Sequence, residues 1–207
     1  MNVNRLTVIW GFVLAAMLAI SPLASASSAD DAAIQKQNLY PKVKFVTSMG
    51  DMVVELNRWR APLTVDHFLR HVVSGSYNDT LFHRVVEDFV VQGGGYKADG
   101  TPLPEGDMVV NESGNGLTNK FGTIALARQN EPHSARGQFY FNVKDNDTLN
   151  PSSRRWGYAV FGEIVENAEL LHELSAVETE VSEQLGFPDV PVEPLRLISV
   201  ELLPEAQ

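Results

Sequence analysis

The side chains best placed to do chemistry in this chain are hydrogen-bond donors rather than nucleophiles. Arg84 and Gln92 lie in Phe82-His83-Arg84-Val85-Val86-Glu87-Asp88-Phe89-Val90-Val91-Gln92-Gly93-Gly94-Gly95. Gln138 follows in Gln138-Phe139-Tyr140-Phe141, downstream of Gly122-Thr123-Ile124-Ala125-Leu126-Ala127-Arg128, and Tyr158 stands in Gly157-Tyr158-Ala159-Val160-Phe161-Gly162. Interleaved with these donors are Phe89, Leu126, Tyr140 and Leu149. A guanidinium keeps its charge at any working pH and presents its donors in a fixed fork. Placed beside an apolar pocket, it favours whatever bound state presents a matching acceptor. The three glycines let the backbone turn sharply or come close to a ligand. The segment alone admits two readings, a ligand cleft or a surface arginine beside a bend in a sheet. Each apolar residue, taken singly, reads as core.

Covalent chemistry has no basis here. The chain has no cysteine and no G-x-S-x-G turn, and none of its five histidines stands in a triad context. His67 and His71 are spaced i, i+4 on a helical pattern but lack an HExxH frame and a third ligand. They read as paired surface histidines, and no metal site is expected.

The elements that must position the donors follow from periodicity. Val43, Phe45 and Thr47 alternate with polar residues, as do Met52, Val54 and Leu56, with Ser48-Met49-Gly50-Asp51 between them. That pattern predicts a β-hairpin. Val65, Phe68, Leu69 and Val72 form one apolar stripe of a helix that starts near Pro62 and stops at Gly75. Strand-like runs follow at 81–86, 89–92, 122–127, 139–143, 159–164 and 195–202, with a second helix at 167–174. In the first run, alternation puts Phe82, Arg84 and Val86 on one face. Eight strands and two helices predict a mainly β domain, a closed antiparallel barrel with a helix at each end. The stretches 97–107 and 178–191 read as surface loops.

Composition fits one soluble domain: 207 residues, 44% hydrophobic and 20% charged. The net charge of −10, from 26 acids and 16 bases, excludes a general nucleic-acid binder. Residues 1–26 have the layout of a secretory signal peptide: Arg5, an apolar run to Ile20, then Pro22 and Ala24-Ser25-Ala26. Cleavage after Ala26, a flexible leader over 27–40, a domain over 41–207 and a periplasmic location are the expectations. No membrane insertion is expected after cleavage, and no heptad or exposed apolar stripe argues against a monomer.

In order and spacing, FHRVVEDFVVQGGG, GTIALAR, GQFYFNV and GYAVFGEI resemble the cyclophilins, in particular their bacterial periplasmic branch, across residues 42–203. The resemblance implies peptidyl-prolyl cis-trans isomerase activity on unfolded or partly folded polypeptides, without a cofactor. It also implies an eight-stranded barrel capped by two helices. It assigns Arg84 as the catalytic residue. The substrate groove would be lined by His83, Phe89, Val90, Gln92, Leu126, Ala127, Arg128, Gln138, Phe139, Tyr140, Leu149 and Tyr158. A proline-peptide binding module with little turnover is the rival within the same groove, and the intact Arg84 and Gln92 weigh against it. The chain departs from the family pattern in Glu87-Asp88 for Pro-Gly, Gly137 for serine and Tyr140 for phenylalanine. Thr148 stands where cyclosporin-sensitive members carry tryptophan, so weak or absent cyclosporin binding is expected.

Overall fold

The computed structural model describes residues 30–104 and 106–205. The expected signal peptide at 1–26 lies outside the described residues. Strands β1 (Lys42–Thr47) and β2 (Gly50–Leu56) form the expected hairpin, with Phe45 opposite Met52 and Val43 opposite Val54. These four point inward and are buried, as the period-two pattern requires. Helix α1 (Pro62–Val73) buries Val65, Phe68, Leu69 and Val72. Its N-terminal cap comes from far along the chain, because the Glu112 carboxylate accepts from the backbone N–H of Leu63 (3.2 Å) and Thr64 (2.8 Å). Helix α2 is short (Leu170–Ser175) and buries Leu170, Leu171 and Leu174.

The remaining strands are β3 (Thr80–Leu81), β4 (Arg84–Val86), β5 (Val90–Gly93), β6 (Thr123–Leu126), β7 (Phe139–Asn142), β8 (Val160–Glu166), β9 (Thr179–Ser182), β10 (Phe187–Pro191) and β11 (Arg196–Leu202). Nine of the eleven strands make one sheet in the order β3-β11-β1-β2-β8-β6-β7-β5-β4, and β9 pairs with β10 as a separate ribbon. The two edges, β3 and β4, are joined by only Phe82 and His83, so the sheet is strongly curled. The fold is mainly β, as expected. The strand order gives nine strands with unpaired ends in place of an eight-stranded closed ladder.

Two expectations need correction. The run 81–86 is not one strand: its start pairs with β11, the Phe82 N–H still donating to the Leu195 carbonyl (2.9 Å), whereas Arg84–Val86 pairs with β5. Phe82 then turns into the core with Val85, so Phe82 does not share a face with Arg84. The stretch 30–40 is not a loose leader. It makes a helical turn at 30–33 and buries Ile34 in the main core, because Arg58 reaches into its carbonyls. Among the described residues, no helix is long and apolar enough to cross a membrane.

The main core is an aromatic cluster centred on Phe139, whose ring meets Phe45 (5.5 Å), Phe68 (5.8 Å), Tyr77 (5.3 Å) and Phe141 (5.9 Å). All four contacts are edge-on, a favourable arrangement for paired rings. This core holds one face of strands β4 to β7 and leaves the other face to the site.

Candidate active site

Strand pairing aligns the donors. Arg84 on β4 pairs with Gln92 on β5, Gln92 with Tyr140 on β7, and Tyr140 with Ala125 on β6. This cross-strand row puts a cation, an amide and a phenol on one face of the sheet. On that face Val90, Ala125, Tyr140 and Val160 form a second apolar cluster, with Phe89, Leu117, Ala127, Leu149 and Tyr158 packed against it. The cluster is separate from the main core and only partly covered. An apolar patch bounded by donors is the usual form of a ligand site.

The same alternation decides which expected residues belong to it. Leu126 and Phe139 lie one residue out of phase with Ala125 and Tyr140, and both are buried in the main core on the opposite face. His83 is also withdrawn from the groove: it is 3% exposed and packs between Tyr96 (4.9 Å) and Phe187 (5.9 Å). Phe89, Val90, Ala127, Tyr140, Leu149 and Tyr158 come together as expected. Gln92 donates its amide to the Gln138 carbonyl oxygen (3.0 Å), so both amides are held in orientation beside the row. A groove of about 650 Å³ opens from Gln92, Ala127 and Gln138 towards His71 and Lys97.

Arg128 acts as a brace. Its guanidinium donates to the carbonyls of Gln129 (2.8 Å), Trp156 (2.9 Å) and Gly157 (3.2 Å) and lies 4.6 Å from the centre of the Tyr158 ring. Tyr158 in turn meets Tyr140 edge-on at 5.8 Å. Only glycine fits at 157, because a Cβ there would fall 2.4 Å from the Pro151 nitrogen. That close approach, with Tyr158 N–H donating to the Leu149 carbonyl (3.0 Å), sets Leu149 beside Tyr158. At the glycine triplet, Gly94 has φ +77° and a Cβ would meet Tyr77 at 2.9 Å.

Below the apolar cluster lies a network of asparagines that the sequence did not single out. Tyr140 donates its hydroxyl to Asn119 Oδ1 (2.8 Å), which also accepts from Asn142 Nδ2 (3.1 Å). Asn146 donates to Asn142 Oδ1 (2.8 Å) and to the Phe89 carbonyl (2.9 Å), tying the network to the rim of the groove. Burial, reinforced by the neighbouring Tyr158 and opposed by Arg128, pushes the Tyr140 hydroxyl well above its ordinary pKa, so it remains a donor. Replacing Asn119 with alanine strips the acceptor from a buried hydroxyl. We expect a loss of about 1–3 kcal/mol in urea unfolding. Adding Tyr140→Phe is expected to recover part of it; strictly additive losses would show that the two side chains are not coupled.

Burial drives the His83 imidazole down to about 4, with hydrogen bonding to Leu81 and Gln138 opposing and Arg84 assisting. Its Nδ1 is buried with no hydrogen-bond partner. An unfolded histidine takes its proton near pH 6.5, so between there and pH 4 the unfolded chain binds more protons. Stability contributed by neutral His83 is therefore full above about pH 6.5 and falls as pH drops towards 4, by on the order of 3 kcal/mol. His83→Phe should flatten that part of the stability–pH curve. An unchanged slope would remove His83 as its source.

His67 and His71 do not stand free on the surface. His67 Nε2 donates to the Arg136 carbonyl (2.6 Å) and His71 Nδ1 to the His67 carbonyl (3.0 Å), so both rings are half-buried packing groups.

A family model for cyclophilin type peptidyl-prolyl cis-trans isomerases matches residues 42–202. The peptidyl-prolyl cis-trans isomerase cyp18 of Streptomyces antibioticus is 45% identical over 164 residues, covering 78% of this chain and 98% of that protein. Peptidyl-prolyl cis-trans isomerase B of Escherichia coli is 41% identical over 161 residues, covering 76% and 97%. A cyclophilin of Cryptosporidium parvum, solved in the presence of the dipeptide Ala-Pro, shares the fold with a TM-score of 0.67 at 22% identity, covering 79% of this chain and 99% of that one. A donor row over an apolar patch, a curled mainly β sheet and relatives matched over almost their whole length agree: the chain belongs to the cyclophilin-type peptidyl-prolyl cis-trans isomerases.

Proposed function

We propose that Arg84 is the catalytic group of this isomerase and that the cluster of Phe89, Tyr140, Leu149 and Tyr158 holds the proline ring. The observation that carries the reading is the row Arg84–Gln92–Tyr140, which sets a guanidinium beside a partly covered apolar patch. The X–Pro barrier of about 18–20 kcal/mol is amide resonance. Twisting the bond breaks that resonance and makes the proline nitrogen pyramidal and basic. A guanidinium hydrogen donated to that nitrogen acts only in the twisted state, so it lowers the barrier instead of deepening the ground state. Gln92, Gln138 and the Ala127 backbone keep the peptide on one side while the ring turns. No bond to the protein forms and no proton is transferred. Removing roughly 5 kcal/mol gives several thousandfold acceleration.

The signal layout of residues 1–26 supports a periplasmic enzyme acting on exported polypeptides, as a monomer that binds cyclosporin weakly or not at all. The test is exchange of a short X–Pro peptide measured by NMR, with the chain from Ser27 onward. Accelerated exchange that cyclosporin leaves unaffected is expected. Peptide binding without acceleration would overturn the assignment of Arg84 and favour a binding module.

A further inference from the structure

The β9–β10 ribbon, expected as a plain loop, is docked on the strand that carries Arg84. Phe187 packs against Tyr96 (5.7 Å) and His83 (5.9 Å), the residue next to Arg84. Beyond Phe187 the ribbon loses its regular pairing: the register shifts between Phe187 and Val190, and Pro188-Asp189 bulges out of the ladder. Asp189 takes φ +64°, a left-handed conformation that aspartate and asparagine tolerate better than most residues. The bulge carries its Oδ2 to 3.5 Å from Arg84 Nε.

We propose that Asp189 is a positioning residue for Arg84, holding the Nε edge of the guanidinium so that its terminal nitrogens stay turned to the substrate. The inference rests on the reading of Arg84 as catalytic. Three features support it. The contact is made at Nε, which spends one edge of the fork and leaves the four N–H bonds of the terminal nitrogens for the twisted amide. It is the one ion pair of Arg84 among the described residues. The two side chains are 34% and 37% exposed, so the pair adds little to stability and its effect lies in restricting a long, rotatable side chain.

The test compares Asp189→Asn, which keeps the tolerated backbone and removes the charge, with Asp189→Gly, which keeps the backbone and removes the side chain. Both variants should melt like the parent chain. In Asp189→Gly, kcat for X–Pro exchange is expected to fall about 3–10-fold with KM little changed, and in Asp189→Asn by less. The 15Nε–1Hε resonance of Arg84 should shift or broaden in both. Raising the salt from about 0.02 M to about 0.5 M should lower kcat of the parent and leave Asp189→Gly unmoved. In an Arg84→Lys background, which has no Nε edge, removing Asp189 should cost nothing further. Full kcat with an unmoved Arg84 resonance, or a higher kcat without Asp189, would overturn the positioning role while an inactive Arg84→Ala left the catalytic assignment standing. An active Arg84→Ala would remove both.

Discussion

Arg84→Ala is expected to lower kcat/KM for X–Pro exchange by about 100–1000-fold, the usual loss when one donor aimed at a developing charge is removed. The loss should appear in kcat, because the apolar cluster that holds proline is untouched by the substitution. Arg84 lies on the face opposite the main core and is half-buried, so the melting temperature should change little. Arg84→Lys should fall between the two. A lysine keeps the charge but concentrates it on one rotatable ammonium, without the flat fork that lets one edge be held while the other donates. Peptide exchange by NMR, with a thermal melt of each variant, decides it. Loss of peptide binding at unchanged kcat would make Arg84 a docking residue. Unchanged kcat/KM would place the catalytic group elsewhere in the row.

What the sequence disclosed and what it hid divide along physical lines. The hairpin of β1 and β2 and the stripe of α1 were legible because each buries one face against the core, and burial imposes a period. The donor row was legible through motif order, although its geometry depends on pairing between strands distant in sequence. Leu126 and Phe139 were assigned to the groove with their neighbours, yet strict alternation through Ile124-Ala125-Leu126 and Phe139-Tyr140-Phe141 already sends them to the core side. The ribbon from Thr179 to Pro191 was not legible. Its strands carry Glu180, Ser182 and Asp189 in no alternating pattern, and Phe187 alone anchors it to His83 and Tyr96. The asparagine network was hidden for a different reason. Asparagine in a glycine-rich stretch reads as turn chemistry, whereas Asn119 and Asn142 find each other only after β7 is in place.

Arg58→Ala is expected to cost about 3–5 kcal/mol in urea unfolding, because it removes the buried partner of the Asp66 carboxylate, leaving only the more exposed Lys36 beside it, and strips three carbonyls of their donor. The Arg58 side chain is 4% exposed and that of Asp66 8%, with Nε 2.9 Å from Oδ1. The rest of the guanidinium is spent on the stretch 30–40: it donates to the carbonyls of Ile34 (2.7 Å), Gln35 (2.6 Å) and Asn38, while Lys36 adds a second cation to Asp66. One arginine thus satisfies a buried acid and three carbonyls, and holds Ile34 in the core. Lysine has no planar fork to serve those directions, so Arg58→Lys should recover only part of the loss. A chain that begins at Pro41 removes the carbonyls and the Ile34 side chain while leaving Arg58 paired with Asp66. It should be less stable than the chain from Ser27, and Arg58→Ala should cost less in it, because the two changes share partners. Equal denaturant slopes across the set would confirm that stability alone has changed. Full additivity would mean that Arg58 acts through Asp66 only and that the stretch 30–40 is held by Ile34 alone.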